Sequence, residues 1–339
     1  MPTTKPSISP EWTMSLPPPL LILTEGDRRR GLGHLGRCLG YAAHWRGAGR
    51  PVRWIVDGDE AARIVLGTEA VQWRRWQDQP LTVAAQGHVV IVDSYDASPE
   101  ALTPLAASAA LVICLDDLAR DHYPPGLVVH TAPGRLDRSG RDARWLIGPR
   151  WQPMPPAFWD VPDRSPVRPR IGRSLVLTGG TDLRGLGTTL AGVIRGTLPD
   201  CRVDLVLGAG AMTAPETDLD GVTLHRTLAA DALRDLMLAC DVAVSAAGQT
   251  LFQLARCGTP AIMVGVADNQ ARHLREWPRT GAMTSAGEWN APDLEDCVAA
   301  HLHALASPQL REAMSQAGRA AVDGQGVARL AREIEASLV

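Results

Sequence analysis

Short unbroken apolar runs recur along this chain, and stretches with helical spacing of apolar positions lie between them. The runs predict strands at Leu20–Thr24, Val52–Val56, Val89–Val92 and Leu111–Leu115, with shorter ones around Val128 and Leu146. Helices are expected from about His34 to Trp45, from about Glu60, and from about Pro99 to Ala109. A strand that is apolar throughout, rather than at every second position, belongs in a parallel sheet covered on both faces.

The rhythm breaks at Gly148–Arg170, a stretch dense in proline with three bulky aromatics, which reads as a linker or a wrapped connection. It then restarts with strands at Ser174–Leu177, Val203–Leu207, Val222–Leu224, Val242–Ser245 and Ala261–Val264. Helices are expected at Leu228–Ala239 and about Gln249–Arg256, and the tail from Ala291 to Val339 is helical. The pattern predicts two doubly wound Rossmann-like α/β domains facing each other across a cleft. The expected boundaries are a disordered N-terminus over 1–18, an N-terminal domain over 19–150, a linker over 151–170 and a C-terminal domain over 171–339.

Composition narrows the field. The 339 residues are 45% hydrophobic and 21% charged, enough for two cores. A net charge of -3 gives no electrostatic reason to expect nucleic acid as a partner. No apolar run reaches the ~20 residues of a membrane helix. The six cysteines form no CxxC pair and sit mostly in apolar stretches, which fits reduced thiols in a cytoplasmic protein and speaks against a zinc site. The expectation is a cytoplasmic monomer without metal or cofactor.

Ligands in such folds sit beyond the C-terminal ends of the strands, and four segments stand there. In "RGLGHLGRCLG", Gly31 and Gly33 leave room for a ligand, and His34 opens a helix whose free N–H groups disfavour a second positive charge on the ring. A neutral imidazole there is a candidate general base; a simple helix-end contact is the competing reading. In "VVIVDSYD", Asp93 would orient His34 or a substrate hydroxyl and Tyr95 would donate a hydrogen bond, unless the aspartate only satisfies a turn. "CLDD" at Cys114–Asp117 has the same ambiguity. In "LTGGTD", Gly179 and Gly180 either admit a ligand or make a tight turn, with Asp182 following. In "SAAGQTLFQLARCGTPAIMVGVADNQ", Ala247, Gly248, Gln249 and Thr250 lead from a strand into a helix N-terminus suited to phosphate. Gln253 shares that helix face, and Asn269 and Gln270 end the next strand. GxxxxGK[ST] is absent, and Gly31, Gly33 and Gly36, although spaced as GxGxxG, make a weak dinucleotide fingerprint.

"GLGHLGRCLGYA", "VDSYD", "GGTD" and "AAGQTLFQLARCGTPAIMVGVADNQ" occur in the order seen in the nucleotide-sugar hydrolase family of pseudaminic acid biosynthesis and in related spore-coat polysaccharide proteins. The chain resembles these families over about Leu20 to Gln270, and through them the two-domain GT-B glycosyltransferases. The resemblance implies a GT-B-like fold and a nucleotide-sugar substrate with UDP held by the C-terminal domain, its diphosphate near Gly248–Thr250. It implies that His34 activates water for attack at the anomeric carbon, with Tyr95 and Asn269 near the reaction centre and Arg37 among the substrate contacts. Gln253 stands where the family has a glutamate for the ribose hydroxyls. Hydrolysis of a UDP-linked deoxy amino sugar is the first reading. Transfer to a sugar or lipid hydroxyl is the alternative, with Trp73-Arg74-Arg75-Trp76 as a membrane-facing patch or merely a packed sheet edge. A nucleotide-sugar-binding module without catalysis is the third.

Overall fold

The computed structural model describes residues 18–78, 81–138, 142–211 and 220–338. The N-terminus expected to be disordered lies outside them except for Pro18. The Pro18 carbonyl accepts a hydrogen bond from Trp45 Nε1 at 3.2 Å.

The first half runs β1 (Leu20–Gly26), α1 (Gly33–Gly47), β2 (Val52–Gly58), α2 (Glu60–Leu66), β3 (Val71–Trp73), α3 (Thr82–Ala85), β4 (Val89–Asp93), α4 (Pro99–Ser108), β5 (Leu111–Asp116), β6 (Leu127–His130) and β7 (Arg144–Ile147). The second runs β8 (Arg173–Leu177), α5 (Gly187–Thr197), β9 (Arg202–Leu207), β10 (Val222–Arg226), α6 (Ala230–Ala239), β11 (Val242–Ala246), α7 (Thr250–Cys257), β12 (Ala261–Gly265), α8 (Ala271–Glu276) and β13 (Met283–Glu288). Three helices close the chain: α9 (Leu294–Ala304), α10 (Pro308–Ala321) and α11 (Gly326–Ser337).

The strands form two wholly parallel sheets, ordered β3-β2-β1-β4-β5-β6-β7 and β10-β9-β8-β11-β12-β13. Side chains alternate across a strand, and here both sets are apolar. Leu20, Ile22, Val89 and Ile91 pack under α1, while Leu21, Leu23, Val90 and Val92 pack under α4. Each sheet therefore needs helices on both faces, which is the doubly wound arrangement the sequence pattern implies.

One expected domain limit changes, and one alternative is decided. The C-terminal domain was drawn to the end of the chain, but α11 packs on the first sheet, with Val327, Leu330, Ala331 and Ile334 in the same core as Leu20 and Trp45. Arg50 and Arg144 of the first half pair with Glu335 and Glu333 of that helix. Nothing in a helical periodicity says which sheet its apolar stripe will meet. The proline-rich stretch, in turn, is a packed strap. Its Met154, Phe158 and Val161 are buried in the second core. The strap crosses α1 at Gly40, where an added Cβ would run into the Met154 carbonyl oxygen.

Trp73 belongs to the edge strand β3 with Arg63 stacked on it at 4.3 Å, and Trp76 is fully buried with Nε1 donating to the Thr24 carbonyl. This is the packed sheet edge, not an exposed aromatic face. No described helix is long and apolar enough to cross a membrane.

Candidate active site

In a doubly wound sheet the strand order reverses once, and the two connections leaving that point diverge to opposite faces and open a crevice. The reversal lies between β1 and β4 in the first sheet and between β8 and β11 in the second. The loops leaving these four strands meet. Gly33 lies against the Gln249 side chain, and Gly180 lies against Leu32. They enclose a cleft of about 180 Å³ lined by His34, Tyr95, Asp117, Thr178, Gly179, Gly180, Gly248, Gln249, Thr250, Asn269, Gln270 and His273, among others.

Gly31 has a φ of +89°, which turns the chain sharply after β1 and into α1. No side chain caps α1, so its first N–H groups are left for the cleft. His34, in the first turn, is 4% exposed. Its Nδ1 is in short contact with Asp93 Oδ1. Arg37, one turn on, donates from Nε to Asp93 Oδ2 and from Nη2 to Oδ1, both at 2.5 Å. Burial alone would push the Asp93 carboxyl up, but the Arg37 guanidinium and the His34 ring outweigh it and hold it below the usual carboxylate range. An ionised Asp93 can only accept. Nδ1 therefore carries a proton, and in the neutral form of the ring the lone pair sits on Nε2.

Arg37 also donates to Asp117 Oδ1 at 2.8 Å, and Tyr95 donates to Asp117 Oδ2 at 3.0 Å. Burial opposes charge on Asp117, and Arg37 again wins, lowering its pKa. Burial followed by the nearby Asp117 charge pushes the Tyr95 hydroxyl up, so it stays protonated. The Tyr95 ring meets the His34 ring edge-on, with centroids 4.3 Å apart. From the second half, Asn269 Nδ2 donates to the Tyr95 hydroxyl at 2.8 Å. A continuous polar chain, His34–Asp93–Arg37–Asp117–Tyr95–Asn269, thus crosses between the halves.

Opposite His34, β11 ends in Ala246 and the chain passes through Ala247 and Gly248 into α7. That helix start carries neither a side-chain cap nor an acidic residue. Its N–H groups and those of α1 face the same space, a setting for an anion. Beside it opens a second, more apolar cavity of about 570 Å³, lined by Leu207, Thr227, Leu228, Ala229, Thr250 and Gln253, among others.

Most residues singled out from the sequence converge here, with altered roles for several. Arg37 is 3% exposed, its guanidinium is committed to Asp93 and Asp117, and it lines the second cavity and not the His34 cleft. Tyr95 donates a hydrogen bond, to Asp117 Oδ2. Asp182 accepts from the Leu186 and Gly187 N–H groups at the start of α5. Gln253 lines the apolar cavity, away from the His34 side. Gln249 accepts from Gln152 of the strap at 2.9 Å, and Gln270 accepts from the Val266 N–H at 2.9 Å.

Asp117 earned only an ambiguous reading from the sequence, and Glu25, Arg30, Thr178 and His273 earned none. Glu25 is fully buried at the end of β1. It accepts from the Tyr95 N–H at 2.7 Å and from Ser94 Oγ at 2.6 Å, which fixes the Tyr95 loop. Arg30 pairs with Asp27 at 2.7 Å and Asp57 at 3.0 Å. A glutamate and an arginine triplet directly after an apolar strand were the available signal.

Compared with protein-family models and with curated proteins, the chain matches none. Solved structures do match along nearly its whole length. MurG of Acinetobacter baumannii superposes with a TM-score of 0.64 at 13% identity, covering 94% of this chain and 99% of that one. The chain has the GT-B fold. CalG4, the calicheamicin glycosyltransferase, gives 0.60 at 14% identity over 95% and 98% of the two chains. A Listeria monocytogenes structure assigned as a UDP-N-acetylglucosamine 2-epimerase gives 0.59 at 9% identity over 92% and 95%. Identities this low speak for the GT-B fold alone. Among the described residues of this GT-B chain, no cluster of His, Cys, Asp and Glu is arranged to hold a metal ion.

Proposed function

We propose that this protein acts on nucleotide-diphosphate sugars and transfers the sugar to an acceptor hydroxyl with inversion at the anomeric carbon. The observation that carries this reading is the His34–Asp93 pair set across a narrow cleft from the uncapped start of α7. The diphosphate rests against the N–H groups of Gly248, Gln249 and Thr250, and the nucleoside enters the apolar cavity beside Gln253. His34 Nε2 takes the proton of the attacking hydroxyl. The new C–O bond forms as the bond from C1 to the phosphate oxygen breaks, and the electron pair leaves with the diphosphate. Helix N–H groups stabilise that leaving charge. Asp93 keeps the ring oriented and stabilises the imidazolium that forms. The glycosyltransferase neighbours support transfer as the reaction class.

Water is the competing nucleophile. The His34 side of the cleft is bridged by the Tyr95–Asn269 hydrogen bond, which restricts space for a bulky acceptor. The motif resemblance points the same way. To test the reading, the purified protein is incubated with UDP-, dTDP- and CMP-linked sugars, and nucleotide release is followed by NMR. Release that requires an added acceptor supports transfer, and release without one supports hydrolysis. Binding of no sugar nucleotide at all defeats both.

A further inference from the structure

The floor of the cleft contains polar groups that the mechanism leaves unused. Thr178 follows directly on β8 and is 4% exposed; its Oγ1 is buried and has no hydrogen-bond partner among the described residues. His273, in α8, is 7% exposed. Its Nδ1 lies 2.7 Å from the Ala247 carbonyl oxygen, which can only accept, so Nδ1 carries the proton. Its Nε2, on the far side of the ring, is the nitrogen left to accept. Burial pushes this imidazole toward the neutral form.

The strand register brings the two side chains together. Leu177 of β8 is paired with Ser245 of β11, so Thr178 emerges beside Ala246, one residue before the carbonyl that holds His273. Both residues line the same cleft as His34. Asn269 completes the set: Nδ2 is spent on Tyr95, while its buried Oδ1 has no partner. Buried polar atoms without partners are costly in a folded chain, and a ligand that satisfies them recovers that cost on binding. Two bare acceptors and a hydroxyl match a ligand group that donates.

We infer that Thr178 and His273 read the sugar, accepting hydrogen bonds from an O–H or N–H substituent on the ring while His34 works in the same cleft. The inference rests on the nucleotide-sugar reading, and it holds for transfer and for hydrolysis alike. Donor recognition by buried, otherwise unpaired groups makes the site selective against sugars lacking that donor.

The test is calorimetric titration of UDP, UDP-glucose and UDP-N-acetylglucosamine into wild type, Thr178→Val, Thr178→Ser and His273→Phe. The expected result is UDP affinity within about twofold of wild type in every variant. Thr178→Val and His273→Phe lose about tenfold in sugar-nucleotide affinity, the scale of one buried hydrogen bond, and Thr178→Ser retains most of it. Loss confined to UDP-N-acetylglucosamine assigns the donor as an N–H, and equal loss for both sugars assigns it as a hydroxyl. Equal loss for UDP and its sugars, or no loss in either Val or Phe variant, overturns the inference. Wild-type protein that binds none of the three probes removes the UDP-sugar reading itself, before any variant is compared.

Discussion

The arginine at position 37 decides how the base is held. Buried with Asp93 and Asp117 on either side, it lets two carboxylates stay ionised in a place that would otherwise protonate them. Asp93→Asn keeps the shape but lets the side chain turn its N–H to the ring and favour the wrong tautomer. Turnover should fall by on the order of 10²–10⁴ with nucleotide affinity unchanged, read by steady-state rates beside calorimetry. Asp117→Asn should cost about 2–3 kcal/mol at neutral pH by leaving Arg37 half paired, read from urea midpoints. The pH dependence has a definite sign. Folding lowers the Asp117 pKa from its ordinary 3.8, so its contribution is complete well above that value and drains away as pH falls through and below about 4. Wild type should therefore lose its advantage over Asp117→Asn progressively as pH falls below about 4, with most of it still present at about pH 3. A difference that grows on acidification would contradict the pairing. The His34–Asp93 partnership was legible as one of two readings. The bracing by Arg37 and Asp117 was not, because residues 56 and 80 positions apart in sequence meet only through strand order.

Elements carry the fold. The apolar runs marked the central strands because those strands are buried on both faces and have no alternation to hide in. The two missed strands sit at sheet edges. β3 has only three residues, and β13 mixes Thr, Ser and Gly into six and pairs across a register shift at Met263/Gly265. Edge strands need less apolar surface, so the pattern fades where the demand fades. The last helix shows the other limit. Its apolar stripe is plain in the sequence, but its partner is the first sheet, whose last strand already ends at Ile147. Leu330 is fully buried there, so Leu330→Ala should destabilise by about 2–5 kcal/mol. Hydrogen exchange should show faster opening of α1 along with α11 in that variant. Unchanged α1 protection would separate the two helices energetically.

At the scale of the whole molecule, the proposed function needs both switch points. The first half supplies a held imidazole and the second an uncapped helix start. Three features couple them. These are the Tyr95–Asn269 bond, the contact of Gly33 with Gln249, and the return of α11 to the first sheet. The two doubly wound halves and the cleft between them were readable from the rhythm of strands and helices. The contacts that close the cleft were not, since they arise from how the halves are set together. Gln253, in the apolar cavity beside α7, makes a local prediction about the nucleotide: Gln253→Glu should tighten nucleoside diphosphate binding by a few fold through stronger ribose contacts. No change on titration would move the ribose elsewhere. The most direct measurement of the central claim is turnover of a nucleotide sugar by His34→Ala beside its affinity for the same nucleotide. A rate lowered by ~10²–10⁴ with affinity within about threefold is what the account predicts; a rate within about tenfold of wild type would contradict it.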